Sequence, residues 1–329
     1  MESTRELLSA AAERLAAAGV PNPEVDAELL LAHVTGRPRA MLRMTGTLTQ
    51  EQASTFAELV AQRVRRIPLQ HLTGLAPFRH LELRVGPGVF IPRPETELMV
   101  DHVLAFAAGR RPLVVDLCTG SAALALSIAT ELPGSRVIAV ELDPAAVEWA
   151  RENIGDHAEQ VSSVGSSIEL VAADATQVAG AGEPLEQLRG HVDVVVTNPP
   201  YVPRDAIPRE PEVRDHDPDL ALYGGHDGLA VVRPLAEQAA LLLRSGGLLL
   251  IEHADVQGEG AGESGVPALL RAQREPGPPA GSPVGPRTGA DVHPAASAHP
   301  AWRDVTDHLD LAGRPRHTAA TRTTGMMAP

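Results

Sequence analysis

Between residues 113 and 252 the chain alternates five short apolar runs with Ala/Leu-rich stretches of helical character. The runs are LVVDL (113–117), RVIAVE (136–141), SIELVAAD (167–174), DVVVT (193–197) and GLLLIE (247–252). The clearest helical stretches lie at about 145–154 and 227–243. Runs so uniformly branched and apolar suit strands buried on both faces, which is the condition of a parallel sheet whose crossovers carry helices. The alternation therefore predicts an α/β fold with a doubly wound, mostly parallel sheet.

The first four runs each lead into a polar residue at their carboxyl end: Asp116, Glu141, Asp174 and Asn198. In open α/β sheets ligands bind outside the carboxyl ends of the strands, so these side chains are expected on one functional edge. The segment Asp116-Leu117-Cys118-Thr119-Gly120-Ser121-Ala122 follows the first run and opens a helix, and its glycine lets a ligand approach the backbone. Glu141 lies about 20 residues further on, where an acid can accept both hydroxyls of a ribose. Asp174 is placed to meet an adenine-type ring. The loop lacks the GxGxxG of dinucleotide binders, so a nucleoside without phosphate, S-adenosylmethionine, fits better than a nicotinamide dinucleotide. The bland alternatives are a loop-capping Asp116 and a solvent-exposed strand end at Glu141.

Asn198-Pro199-Pro200-Tyr201 stops the fourth run with a stiff loop. Asn offers a side-chain carbonyl, and a prolyl residue keeps its backbone carbonyl while lacking an N–H. Two acceptors on such a loop can hold both hydrogens of a planar –NH2 group, with Tyr201 as an aromatic wall. The tetrad resembles the NPPY motif of methyltransferases that modify nitrogen in amides or amines. Without its neighbours it would read as a turn after a core strand.

The first 80 residues read as helices. Ser3 with Glu6 and Thr49 with Gln52 suit capping boxes, Asn22-Pro23 a helix start and Gly19 a helix stop. Arg63, Arg65 and Arg66 read as a solvated helix end. The segment 80–92 suits a hairpin or extended connector, and Pro94 the first turn of a helix. Residues 274–300 are rich in Pro, Gly and Ala, cannot bury a core, and are expected to be a disordered insertion. DLAGRPRHTAATR (310–322) suits a closing β-hairpin. The expected domains are a helical substrate-recognition domain at 1–78, a hairpin-and-helix connector at 79–112, and a catalytic domain at 113–329.

The chain has no lysine and a formal net charge of −14, which argues against stable nucleic-acid binding. One cysteine, Cys118, excludes an internal disulfide, and thirteen histidines show no ligand spacing, so no metal is expected. No apolar run reaches membrane-spanning length and the N-terminus lacks a signal-peptide pattern, so a cytoplasmic protein with no membrane partner is expected.

With these residues in view, the chain resembles the release-factor glutamine N5-methyltransferase family (HemK-type) over nearly its whole length apart from the Pro-rich segment. Arg66-Ile67-Pro68-Leu69-Gln70-His71-Leu72-Thr73-Gly74 with Phe78 match the family's interdomain junction. Phe90-Ile91-Pro92-Arg93-Pro94-Glu95-Thr96-Glu97 match its most distinctive segment. Residues 116–121, Glu141, 198–201, the 212–229 loop and 310–314 also match. The resemblance implies a seven-stranded methyltransferase sheet after a small helical domain. It implies methyl transfer from S-adenosylmethionine to the glutamine of the GGQ tripeptide in class I peptide-chain release factors. Asn198 and Pro199 would be catalytic, and Pro200, Tyr201 and Phe90 would complete the substrate site. Asp116, Cys118, Thr119, Gly120, Ser121, Ala122, Glu141, Asp174, Ala175 and Asn198 would line the cofactor. No general base is assigned, since Glu95 and Glu97 are expected to serve as helix-dipole partners. Two departures stand out: Cys118 and Ala122 replace glycines of the family loop. Ala122 requires φ below zero or strain, and a place in the first turn of the helix would satisfy it. The competing readings are a nucleic-acid amino-group methyltransferase and a non-catalytic cofactor-binding protein.

Overall fold

The computed structural model describes residues 3–44, 46–275 and 299–323. Nearly all of the Pro-rich segment expected to be disordered lies outside the described residues. The chain divides into two compact units. The first comprises the residues up to Ala76 together with Arg84–Ile91 and Ile207–Pro218, and the second comprises the remainder.

In the first unit, helices α1 (Thr4–Ala17), α2 (Pro23–Thr35), α3 (Gln50–Val64) and α4 (Leu69–Thr73) pack around Leu15, Leu30, Leu31, Phe56 and Val60. Both expected capping boxes form, Ser3 with Glu6 and Thr49 with Gln52. Asn22 occupies the cap position of α2 without a side-chain bond, and Pro23 supplies the preset first turn. The expectation of a solvated arginine cluster is overturned at Arg63 and Arg66. Arg66 grips both oxygens of Glu212 at 2.7 and 2.6 Å, and Arg63 reaches Glu212 and Asp26, each at 2.7 Å. Burial alone would raise the Glu212 pKa, but the two guanidiniums more than offset it and hold the carboxyl at about 2. A bidentate partner more than a hundred residues away leaves no trace in local composition. Arg65 alone is exposed.

A two-stranded hairpin, β1 (Leu75–Phe78) and β2 (Leu81–Arg84), turns at Arg79 with φ 53°. Its turn is fixed by Arg79, whose Nε and Nη2 reach the two oxygens of Glu131 and whose backbone N–H donates to Glu97.

The second unit is a seven-stranded sheet, with β3 (Leu113–Leu117), β4 (Arg136–Glu141), β5 (Ser167–Ala172), β6 (Val192–Thr197), β7 (Leu243–Glu252), β8 (Trp302–Leu309) and β9 (Pro315–Arg322). Their order is β5-β4-β3-β6-β7-β9-β8. The first five are mutually parallel, and β9 runs antiparallel to both β7 and β8. The doubly wound, mostly parallel seven-stranded sheet and its closing hairpin are thus as expected. Helices α5 (Glu97–Phe106), α6 (Ala123–Glu131) and α7 (Pro144–Asp156) and the helix Val232–Leu242 cover the sheet. Successive strand residues serve opposite faces. Val115, Leu117 and Val195 pack with Leu235 and Ala239, whereas Val114, Val194 and Val196 pack with Met99, Val103 and Leu126. Because β3, β4, β5 and β6 are parallel and in register, their carboxyl ends fall on one edge, where Asp116 is level with Val196 and Glu141 with Ala172.

Candidate active site

Asp116 is fully buried at the end of β3. Its Oδ2 accepts from Thr119 Oγ1 at 2.6 Å and from the Ala125 N–H at 3.2 Å, while Oδ1 has no partner among the described residues. Burial pushes its pKa up to about 7, with the two hydrogen bonds acting against that shift. The loop that follows alternates in hand, with Cys118, Gly120 and Ala122 all left-handed at φ 61°, 57° and 67°. Ala122 is therefore not a first-turn residue with negative φ, as the sequence reading allowed, but the left-handed cap of α6. Both positions where this chain departs from glycine are conformations that glycine adopts freely and that cost an L-residue about 1–2 kcal/mol. A Cβ on Gly120 would meet nothing within 4 Å, so the loop backbone borders open space there.

Glu141 closes over this loop. Its Oε2 accepts from the Gly120 N–H at 2.8 Å, and Oε1 from the N–H groups of Leu142 and Asp143 at 2.9 and 3.0 Å. Burial raises its pKa against the pull of those bonds. It is thus neither a solvated strand end nor free of partners. Asp174 folds back on its own turn, accepting from the Thr176 N–H and hydroxyl at 2.9 and 2.7 Å. Ala175 is buried in the apolar cluster beneath. Thr119 and Ser121 are buried in the loop, where the Ser121 carbonyl accepts from Asn153 Nδ2 at 3.0 Å. Desolvation pushes the Cys118 thiol upward, and the charges of Glu141 and Asp116 add to it, so it is not a reactive thiolate.

Asn198, Pro199, Pro200 and Tyr201 leave the adjacent strand β6 at the same edge. Asn198 Nδ2 reaches Thr96 Oγ1 at 3.5 Å, which orients its carbonyl oxygen as the remaining acceptor. Among the described residues no donor bonds the Pro199 carbonyl. The Tyr201 hydroxyl donates to Glu252 Oε1 at 3.2 Å, and its backbone carbonyl accepts from Gln257 Nε2 at 3.0 Å. The segment 222–228 braces the loop from the other side through Val202 N–H to Leu222 O and Gly224 N–H to Val202 O. A Cβ on Gly224 would lie 2.5 Å from the Pro200 carbonyl, and one on Gly228, at φ 76°, would lie 2.2 Å from that of Tyr201. Only glycine permits such close backbone packing. Phe90 belongs to the first unit, where it is half-buried.

Sequence reasoning missed Glu252, Thr96 and Gln257. Glu252 is buried at the end of β7, accepts from Thr96 and Tyr201, and has one oxygen, Oε2, without a partner among the described residues. Burial pushes its pKa up to about 7, although Thr96, Arg316 and Tyr201 all act to lower it. The signal was available, because the fifth apolar run also ends in an acid. Glu95 and Glu97 are otherwise engaged, the first 3.7 Å from Arg314 and the second on the Arg79 N–H.

Two family models match, the PrmC N-terminal domain over residues 6–74 and the methyltransferase small domain over residues 82–208. A relative from Mycolicibacterium smegmatis is 44% identical, over 98% of this chain and 99% of its own. One from Streptomyces coelicolor is 41% identical over 95% of each chain, and one from Bifidobacterium longum is 47% identical over 77% of this chain and 88% of its own. All three are named release factor glutamine methyltransferase. The chain belongs to the release factor glutamine methyltransferase family. Its place there accords with the two compact units, one helical and one built on a methyltransferase sheet. Among the described residues no helix is long and apolar enough to cross a membrane.

Proposed function

We propose that this chain transfers a methyl group from S-adenosylmethionine to the side-chain amide nitrogen of the glutamine in the GGQ motif of class I peptide-chain release factors, in the cytoplasm. The observation that carries the reading is the pair of acceptors Asn198 Oδ1 and Pro199 C=O on a loop locked by Thr96, Glu252, Gln257 and two close-packed glycines. That pair follows β6 beside an edge already carrying Asp116, Glu141 and Asp174.

The residues suit the cofactor. Three carboxyl groups line the edge, which disfavours a diphosphate and favours a cationic nucleoside without phosphate. Asp116 Oδ1 is a buried acceptor without a partner among the described residues, and Gly120 borders open space. Glu141 would take the ribose hydroxyls with the lone pairs that remain after its three backbone bonds, Asp174 and Ala175 would border the adenine, and residues 118–122 would form the cradle. When bound, S-adenosylmethionine supplies a methyl group activated on a sulfonium sulfur.

An amide nitrogen is a weak nucleophile because its lone pair is delocalised into the carbonyl. Asn198 Oδ1 and the Pro199 carbonyl would each accept one of its N–H hydrogens, fixing its position and stabilising the positive charge that develops on it. Tyr201 and Pro200 would wall the glutamine side chain and exclude water. Because the nitrogen becomes acidic as it is alkylated, its proton can leave to solvent and no strong base is required.

The test offers purified enzyme and methyl-labelled S-adenosylmethionine to a class I release factor, its GGQ Gln→Ala variant, duplex DNA and RNA separately. Label in the intact release factor alone is expected. Equal label in the variant, or label in nucleic acid alone, overturns the proposal.

A further inference from the structure

Three histidines from distant parts of the chain meet in the second unit. His102 lies on α5, and His308 and His317 are cross-strand partners on β8 and β9. The His308 and His317 rings stack with centroids 5.1 Å apart, and the His102 ring stands edge-on to both, at 4.3 and 4.8 Å. One ring nitrogen from each lies within 4.8 Å of the other two. His317 is only 1% exposed, its Nε2 is 2.9 Å from His102 Nδ1, and its Nδ1 has no partner among the described residues.

The geometry points to a binding site for a divalent transition metal, held by His102, His308 and His317 with water completing the shell. Imidazole nitrogen suits Zn2+ and its neighbours Co2+, Ni2+ and Cu2+, and three histidines with one open position is a known coordination set for zinc. Tetrahedral ligation at about 2.0–2.1 Å per bond places the nitrogens about 3.3 Å apart. Ligation would need rotation of His102 and His308, which are half-buried, to close the spread of up to 4.8 Å. Coordination also needs neutral rings. Burial lowers the pKa of all three, that of His317 to about 3, although Asp101 beside His102 and Asp307 beside His308 act in the opposite sense. The nearby Arg316 and His253 favour the neutral state of His317 as well. The expectation of no metal rested on spacing along the chain, and positions 102, 308 and 317 have none to find.

Such an ion would tie α5 to the C-terminal hairpin. That hairpin carries Arg316, which acts electrostatically on Glu252 and Tyr201, and Arg314, which reaches Glu95. The role is structural, and its readout is binding rather than methyl transfer.

The experiment uses the full chain, free of any affinity tag and stripped by a chelator. Zn2+ is titrated in competition with a chromophoric chelator, and Co2+ is added separately to read coordination from its visible absorption. One equivalent of tightly held Zn2+ per chain, a raised Tm and a Co2+ spectrum of low coordination number are expected. His102→Ala and His308→Ala, at half-buried rings, should each weaken Zn2+ binding at least 100-fold while leaving the metal-free Tm within a few degrees. His308→Gln serves where the alanine variant is poorly folded. His33→Ala, at an exposed histidine of α2, should bind as wild type. Failure of the wild-type chain to take up Zn2+ at micromolar concentration overturns the site. So does undiminished uptake by the His102 and His308 variants.

Discussion

Tyr201 donates its phenolic hydrogen to Glu252 Oε1 across 3.2 Å, joining the loop after β6 to the end of β7. The bond links the residue expected to wall the substrate to a carboxyl group with 1% exposure whose other oxygen has no partner among the described residues. Glu252 is raised from 4.5 to about 7 mainly by burial. Between those values the folded chain holds a proton that the unfolded chain has already released. Its contribution to stability is full below about pH 4.5 and is lost as pH rises through about 7. Asp116, raised from 3.8 to about 7, acts in the same sense. Glu212, held at about 2 by its arginines, has made its full contribution above about pH 4.5 and does not alter the slope there. The contribution of these two carboxyls, read by urea unfolding, should therefore fall between about pH 4.5 and 7, against the opposing rise from His317, whose pKa burial lowers to about 3. Glu252→Gln should reduce the slope by up to about 1.4 kcal/mol per pH unit, the value for one proton. A slope unchanged by the substitution would mean that Glu252 titrates normally.

Asn198→Ala removes the side-chain acceptor of the proposed amide grip. The barrier to methyl transfer should rise by about 2–4 kcal/mol, the range for losing one well-placed transition-state hydrogen-bond partner. Single-turnover rates measured at saturating cofactor and release factor check this. Rates close to wild type would remove Asn198 from the mechanism.

Glu141, proposed to take the ribose hydroxyls, also fastens the Gly120 N–H and the turn at Leu142 and Asp143. Glu141→Ala should weaken S-adenosylmethionine binding by about 1.5–3 kcal/mol, the value of hydrogen bonds to a charged group. Calorimetry reads the affinity directly. Wild-type affinity would mean that the ribose does not sit at Glu141.

Ala122→Gly balances two terms of similar size. Relief of the left-handed backbone at φ 67° favours glycine by about 1–2 kcal/mol. Loss of a fully buried methyl opposes it by about 0.8 kcal/mol. A small net gain in stability is expected by denaturant unfolding, and a loss beyond about 1 kcal/mol would show that the strain is absent.

Gly228→Ala forces a methyl to within 2.2 Å of the Tyr201 carbonyl. The loop must move, so methyl transfer should drop at least about tenfold, a factor worth about 1.4 kcal/mol. Cofactor affinity should change little. Wild-type turnover would show that the position of the loop is not critical.

The sheet was legible because apolar runs of strand length, separated by helical stretches, admit few topologies. The NPPY segment and the acids at 116, 141 and 174 were legible because each closes such a run. What local pattern could not show were partnerships over long separations: Glu212 with Arg63 and Arg66, Glu252 with Tyr201, and His102 with His308 and His317. The left-handed turn at Ala122 was missed for a different reason. A small residue fits many backbone conformations, and only the neighbouring packing selects one. The capping boxes at Ser3 and Thr49, being contained within four residues, needed no tertiary information.

Mapping the methylated product shows whether the Asn198–Pro199 acceptors present a glutamine amide for methylation. A class I release factor is incubated with S-adenosylmethionine and either the wild-type chain or Asn198→Ala, then digested and sequenced by mass spectrometry. A single added methyl group on the side-chain amide of the GGQ glutamine is expected with the wild-type chain, and little or none with the variant. A methyl group mapped to any other residue, or equal GGQ methylation by both chains, would contradict it.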